Sequence, residues 1–409
     1  MGRTFPLFAA LYHRNYRLYW TGQLISVSGT WMQQVALSWL ILELTHSAFK
    51  LGVVGAAQFL PVLLFSLYGG ILADRFPKKY LIMFTQTSMM LVAFLLGILV
   101  VTGKVHYAAI VVLAFLLGCF NAIDMPARQS FILELVDRST LMNALALHSA
   151  LFNGARVVGP ALAGVALARW GTATCFFLNA ASFLAVLMQL ARIDVVGRKN
   201  VSGKTSSPFR ELKEALTYVK ETPRLLYPLL LLALFSALAI NFNVLVPALA
   251  RLTLKEGAQQ YAHLLTAQGL GAVAGGIFLA WLSWQGPRIA WIVIGALALC
   301  VPQIILGLLP GYYQALFLLF VAGWGMVVLV STINTNIQLN AREDCRGRVM
   351  SLYVLLFVGT SPVGNLLAGA LAHRWGVPWA FTLGSVAALL AGAAIAACWY
   401  RAERRISSS

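Results

Sequence analysis

The chain has 409 residues, of which 60% are apolar and 11% charged, with a mean hydropathy of +0.80. A soluble domain is closer to half apolar and a quarter charged, and so large an apolar excess does not fit inside a water-soluble core. The composition therefore excludes a soluble enzyme, a secreted disulfide scaffold and a disordered protein. The net charge of +17 does not indicate a nucleic-acid partner, because the basic residues lie between apolar segments.

Twelve apolar runs, bounded by proline, glycine or charge, predict twelve membrane-spanning helices, since each span takes about 20 apolar residues. In chain order the runs are 18–42, 50–72, 80–101, 107–125, 143–168, 174–191, 226–249, 262–283, 289–309, 312–337, 348–372 and 379–400. The fold class predicted is an all-α membrane protein. Residues 1–20 lack the pattern of a removable signal peptide, so the first span is expected to act as an uncleaved anchor.

The distribution of Lys and Arg predicts the orientation. With a cytoplasmic N-terminus, the inside segments hold 23 basic residues and the outside loops hold 6. Because cytoplasmic loops carry the excess of positive charge, both termini are expected in the cytoplasm and the protein in the plasma (inner) membrane.

A basic segment, 192–225, divides the chain. Its apolar positions Phe209, Leu212, Leu216 and Val219 recur at helical spacing, which predicts an interfacial amphipathic helix. The predicted domains are an N-terminal six-helix half, the linker, a C-terminal six-helix half and a cytoplasmic tail, at 1–191, 192–225, 226–400 and 401–409.

The two halves are repeats. A shift of 205 positions places Gly159–Gly171 on Gly364–Gly376, with seven of thirteen residues identical. Six spans repeated as six predict a transporter in which two halves rock about a site at the membrane midplane.

The stretch Gly70–Lys79, which follows the second span, resembles the loop signature of the major facilitator superfamily. It supplies Gly70, Asp74, Arg75 and Lys79, and Pro77 stands where the signature usually has glycine. The resemblance implies a conformational latch. Asp74 would meet the positive N-terminal end of span eleven, near 346–350. The alternative is a solvated loop that only sets topology.

Two further stretches refine the resemblance. Residues 154–164 resemble the fifth-helix signature of the superfamily's proton-linked exporters. Residues 120–129 and 153–156 resemble the bacterial exporter branch that includes the enterobactin exporter and macrolide efflux proteins. We expect Asp124, at the cytoplasmic end of span four, to pair with Arg75 or Arg128 and to couple the latch to protonation.

Arg156 is the only charged residue near the middle of any predicted span. An Arg within the membrane costs about 2.5–3.5 kcal/mol on insertion scales and normally faces a cavity or a partner. His148 and Phe152 lie on the same helix face. Arg156 is expected to meet an anionic substrate or a titrating acid, or else to act as a strut bonded to carbonyls and amides.

By family analogy, spans one, four, seven and ten line the transport path. Their candidate substrate or coupling residues are Gln33, Gln34, Asn121, Asn241, Asn243, Asn334 and Trp324, together with His148 and Arg156. Amides mixed with aromatic residues suit a large amphipathic ligand. Hydrogen bonding between helices would also explain these amides.

Small residues on two spans predict close helix packing. They are Gly159, Pro160 and Gly164 on span five, and Gly271, Gly275 and Gly276 on span eight.

The sequence thus predicts a monomeric secondary transporter, not an enzyme, that exports an amphipathic drug, macrolide or siderophore in exchange for protons. Its expected partners are the bilayer, the substrate and protons, with no nucleic acid, cofactor or metal. The alternatives are an uptake symporter or lysophospholipid flippase of the same fold, and a membrane sensor that binds ligand without moving it.

Overall fold

A computed structural model describes residues 8–196, 208–282, 286, 288–343 and 345–408 of the chain. The α-helices are α1 Arg14–Thr45, α2 Ala48–Arg75, α3 Lys78–Val101, α4 Tyr107–Leu135, α5 Leu141–Trp170, α6 Thr172–Arg192, α7 Pro208–Glu221, α8 Pro223–Leu238, α9 Phe242–Ala248, α10 Ala258–Trp281, α11 Ile289–Leu308, α12 Tyr312–Asn340, α13 Arg346–Gly359, α14 Ser361–Trp375 and α15 Val377–Ser408. A 3₁₀ turn, Ala9–Tyr12, precedes α1, and a π-helical turn, Leu249–Thr253, follows α9.

The helices match the predicted spans. In the described part of the chain, eleven helical segments are long and apolar enough to cross a membrane. The 32-residue helix α1 coincides with the first predicted span. Most helices begin and end within a few residues of the predicted limits, because the apolar runs themselves set the lengths of the spans.

Helix α4 is longer than predicted. The apolar run was expected to end at residue 125, but the helix continues to Leu135. Pro126 lies inside the helix and does not end it. The expectation that Asp124 lies at the end of span four was therefore wrong: Asp124 is in the helix interior and is completely buried.

The seventh predicted span is interrupted. Helix α8 ends at Leu238 and α9 begins at Phe242, with Asn241 as its N-cap residue. The break frees backbone carbonyls that must find other partners inside a membrane. The side chain of Gln303 donates to the Ala239 carbonyl at 3.1 Å, so a residue of α11 stabilises the interruption.

The eleventh predicted span is also divided. Helices α13 and α14 meet at Thr360, directly before Ser361-Pro362. Proline has no amide hydrogen and disfavours the helical conformation in the residue before it, which explains a break at this point.

Helices α5 and α14, which correspond in the internal repeat, end with the same backbone conformation. Each helix ends in Arg-Trp followed by glycine, and Gly171 and Gly376 have φ values of 78° and 92°. Because only glycine adopts this region at little cost, the repeated Arg-Trp-Gly sequence ends both helices in the same way.

Contacts divide the chain into two units: Met1–Leu44 with Leu60–Gly203, and Thr45–Phe59 with Lys204–Ser409. In the first unit, α3 packs against α4 and α6. Helices α1 and α5 are joined by the Tyr16 hydroxyl, which donates to the Ala144 carbonyl at 2.7 Å, and by the Trp20 indole, which donates to Leu147 at 3.1 Å.

In the second unit, α12 packs against α10 and α11, and α15 packs against α11 and α8. The first part of α2 belongs to this unit. A Cβ atom at Gly55 would lie 2.8 Å from the Asn365 side chain of α14, so glycine allows the two helices to approach closely.

The predicted linker helix is present as α7, and its side chains are described from Glu214 onward. Ala215 and Val219 are buried, whereas Leu216 is 39% exposed. The prediction that Leu216 shares the apolar face of the helix with Val219 was therefore wrong. Glu214 forms an ion pair with Arg348 at 3.0 Å, and the Tyr218 hydroxyl accepts from the Arg342 backbone amide at 3.1 Å. Helix α7 therefore packs on the start of α13. Phe209 and Leu212 lie outside the residues whose side chains are described.

Candidate functional site

A buried ion pair is the centre of a polar cluster in the first unit. Arg128 Nε lies 2.6 Å from Asp124 Oδ2, one helical turn apart on α4. Helix α3 supplies further donors to the same carboxylate: the Thr85 hydroxyl at 2.7 Å, and the Gln86 amide at 3.1 Å from each oxygen. Both carboxylate oxygens of Asp124 therefore accept hydrogen bonds or face the guanidinium of Arg128.

The guanidinium of Arg128 reaches two other helices. Its Nη1 donates to Gln23 Oε1 of α1 at 2.8 Å, and its charge lies 6.0 Å from the centre of the Phe152 ring on α5. His148 lies between Phe152 and Tyr19, with ring centroids 4.9 and 6.5 Å away. The ion pair is thus in contact with α1, α3, α4 and α5.

The predicted pairing of Asp124 with Arg128 is confirmed. The partners on α3 were missed, although Thr85 and Gln86 stand out as polar residues inside an apolar run. A second buried pair was also missed. Lys78, which is 2% exposed, lies 2.6 Å from Glu134 and joins the start of α3 to the end of α4.

The residues of the predicted latch lie at the end of α2 and the start of α3. Asp74 and Arg75 are exposed. Lys79 Nζ donates to the Ile193 carbonyl at 2.7 Å, which ties the start of α3 to the end of α6. Space around Gly70 is open, so close contact with another helix of its unit does not require glycine there. The latch role of Asp74 stays a prediction.

Two of the predicted lining residues of the first unit form hydrogen bonds with other residues of the transmembrane helices. Gln33 is buried and accepts from the Asn179 amide of α6 at 2.6 Å. The Asn121 amide donates to the Leu117 carbonyl of its own helix at 2.9 Å. Gln34 is partly exposed. Gln33 therefore makes a bond between helices, as the alternative interpretation expects, whereas Asn121 bonds within its own helix. A role of either residue towards a substrate stays a prediction.

The predicted lining residues of the second unit do not form one cluster of hydrogen bonds. Asn241 is buried and donates to the Ala237 carbonyl at 2.8 Å. Asn334 accepts from Gln338 of its own helix. Trp324 packs against the Phe278 ring, with centroids 5.0 Å apart. Asn243 is partly exposed.

Arg156 lies on α5, one turn beyond Phe152. Its guanidinium lies over the ring of Trp31 of α1, 5.3 Å from the ring centre. Its Nε atom is buried without a hydrogen-bond partner, and no described acid pairs with it. The Trp31 ring is thus the described contact of this guanidinium in the first unit.

Several predicted packing glycines lie at close helix contacts. A Cβ atom at Gly159 would collide with the Trp31 Cβ, and one at Gly271 would collide with the Phe320 carbonyl oxygen. At Gly275 it would lie 2.8 Å from the Trp324 carbonyl oxygen. Pro160 and Gly164 are buried. Gly276, by contrast, faces open space, so its predicted packing role was wrong.

The chain superimposes on a bacterial homologue of the human lysosomal transporter Spinster with a TM-score of 0.75, covering 98% of both chains at 14% identity. Likeness at this identity concerns the fold alone, and it confirms the predicted all-α membrane fold.

The chain belongs to the MFS_3 family of transmembrane secretion effectors, whose model matches residues 6–406. It is 26% identical to a staphyloferrin A transporter of Staphylococcus aureus, over 87% of this chain and 89% of that protein. It is also 26% identical to the multidrug efflux pump Tap of Mycolicibacterium fortuitum, over 89% of this chain and 91% of that protein. It is 25% identical to the enterobactin exporter EntS of Citrobacter koseri, over 88% of this chain and 85% of that protein.

These relatives confirm the resemblance to the bacterial exporter branch. They also confirm that the protein is a transporter of small molecules and not an enzyme. In the described part of the chain, no group of His, Cys, Asp and Glu residues is arranged to hold a metal ion.

Proposed function

We propose that the protein exports amphipathic small molecules of the drug, macrolide or siderophore type by alternating access, in exchange for protons. Export is supported by two relatives that are named as an efflux pump and an exporter. Their substrates are properties of those proteins, and only the broad amphipathic class is carried over here.

The observation that carries proton coupling is the pair of Asp124 and Arg128. Asp124 is completely buried inside a membrane-spanning helix, and Arg128 is its charged partner. An ionisable residue at such a position is usually functional, because an intramembrane charge is costly and is retained where a substrate, an ion or a proton must be handled.

Protonation of Asp124 would change the balance of contacts around Arg128. The neutral carboxyl no longer attracts the guanidinium, which keeps its bond to Gln23 and its position near the Phe152 ring. A proton bound at Asp124 therefore weakens a bond within α4 and favours the contacts with α1 and α5. This gives proton binding a direct effect on how these helices pack, as an antiporter requires.

Transport by reconstituted protein tests this function. Proteoliposomes with an acidic lumen are expected to accumulate at least one of rhodamine 6G, erythromycin and enterobactin, because protons leaving the lumen drive the substrate inward. Accumulation is measured against protein-free liposomes carrying the same gradient. Nigericin, which collapses the gradient, should abolish the difference between the two.

The outcome separates the alternatives. Uptake into a lumen that is alkaline rather than acidic would identify a symporter. Binding of the panel without gradient-driven movement would identify a sensor and contradict the proposed transport. Movement of labelled lysophospholipid in preference to the panel would identify a flippase.

We also propose that both termini face the cytoplasm of a plasma-membrane protein, on the basis of the Lys and Arg distribution. Single cysteines replacing Lys220 and Lys255, both exposed, test it in a cysteine-free background. An impermeant maleimide is expected to label Lys255→Cys on intact cells and Lys220→Cys only after permeabilisation. The reverse pattern would show that the orientation is inverted.

A further inference from the structure

Helices α1 and α5 hold a charge that the coupling cluster does not use. Arg156 is partly exposed, its Nε is buried without a hydrogen bond, and the carboxylate of Asp124 is already taken by Arg128, Thr85 and Gln86. An unpaired guanidinium within the membrane needs an anion or a set of carbonyls, since neither lipid tails nor aromatic faces satisfy its donors.

The surroundings of Arg156 are aromatic and apolar. Trp31 presents its ring to the guanidinium, and Phe152 lies one turn earlier on the same helix. Trp31 and Phe152 pack on a small core formed by Val27, Leu151 and Ala155. A ligand that reaches Arg156 therefore meets one positive charge and an apolar wall.

Helices α1 and α5 approach each other closely beside Trp31. Gly159 lies one turn beyond Arg156, where a Cβ atom would collide with the Cβ of Trp31 and lie 2.9 Å from the Ser28 carbonyl oxygen. The absence of a side chain at Gly159 lets α1 approach α5 closely at this level. Trp31 and Arg156 therefore lie on two closely packed helices, and groups positioned in this way before a ligand arrives lose less entropy on binding.

We propose that Arg156 and Trp31 form a recognition site for the carboxylate of an amphipathic substrate that has an aromatic or apolar body. The guanidinium offers parallel N–H donors that match a carboxylate, and Trp31 and Phe152 provide the apolar contact. This assignment rests on the proposed function and narrows its substrate class to amphipathic carboxylates. The Nε atom of Arg156 has no hydrogen-bond partner, which favours recognition of a substrate over the strut alternative.

A matched pair of ligands tests the site. Purified protein is titrated with dansyl-phenylalanine, which carries a carboxylate, and with dansyl-phenylalanine amide, which does not, and dansyl fluorescence reports binding. Wild type is expected to bind the carboxylate more tightly. In Arg156→Gln, affinity for the carboxylate should fall about tenfold or more, the size of a lost charge-assisted hydrogen bond, with affinity for the amide unchanged.

Two further variants keep the test independent of folding. Arg156→Lys retains the charge without the planar fork, and should keep part of the preference for the carboxylate. Arg169→Gln removes an exposed charge from the end of the same helix and should bind both ligands like wild type. Equal binding of the two ligands by wild type, or an unchanged preference in Arg156→Gln, would overturn the assignment.

Failure of this inference can be told from failure of the proposed function. If wild type moves a compound of the panel but does not prefer the carboxylate, transport stands and the site is wrong. If the preference depends on Arg156 but no compound moves under a pH gradient, the site stands and proton-driven export is wrong.

Discussion

Replacing Asp124 with asparagine is expected to abolish gradient-driven transport and to lower the stability of the protein. The change leaves the charge of Arg128, which is 15% exposed at its side chain, without its counter-ion. Breaking a buried ion pair by removing one partner costs about 3–5 kcal/mol, because the remaining charge is uncompensated. Flux in proteoliposomes and thermal unfolding in detergent measure the two effects separately.

A matched control for this variant is Asp137→Asn. Asp137 is exposed directly after α4, so its replacement removes the same charge without breaking a buried pair. We expect normal transport and a stability close to that of wild type. Normal gradient-driven transport in Asp124→Asn itself would contradict the coupling role of Asp124.

The double variant Asp124→Asn, Arg128→Gln separates coupling from folding. Removing both charges avoids the uncompensated one, so the double variant should be more stable than Asp124→Asn alone. It still lacks the group that binds the proton, and gradient-driven transport should remain absent. Recovery of both stability and transport in the double variant would mean that the pair has only a structural role.

The replacement Gly271→Ala is expected to disrupt the second unit. The new Cβ would collide with the carbonyl oxygen of Phe320 and lie 3.0 Å from its Cα, and these backbone atoms cannot rotate away as a flexible side chain can. Helices α10 and α12 would have to separate. Overpacking of this kind costs about 1–3 kcal/mol. A lower thermal unfolding temperature and reduced expression are the measurements.

The same helix provides the control. At Gly276 a Cβ atom would have no neighbouring atom within 4 Å, so Gly276→Ala adds a methyl group to open space. Alanine also favours the helix more than glycine does. We expect no loss of stability in Gly276→Ala. Equal destabilisation by the two replacements would show that the close contact at Gly271 is not what makes glycine necessary there.

The sequence alone determined the membrane class, the positions of the spans and the internal repeat. These features follow from local hydropathy along the chain, because each span must be long and apolar enough to cross the bilayer. The repeated Arg-Trp-Gly sequence is also part of this internal repeat, and its glycine has the same backbone conformation at the ends of α5 and α14.

Only the tertiary structure decided which polar residues meet. Thr85 and Asp124 are 39 positions apart in the chain, and Gln33 and Asn179 are 146 apart, so no local pattern joins them. At the break between α8 and α9, the partner of the Ala239 carbonyl is likewise a distant residue, Gln303 of α11. Hydropathy sets where a helix can cross the membrane, whereas side chains from other helices decide which buried polar groups are satisfied. For this reason the sequence predicted Asp124 at the end of a span, and the structure places it inside a polar cluster.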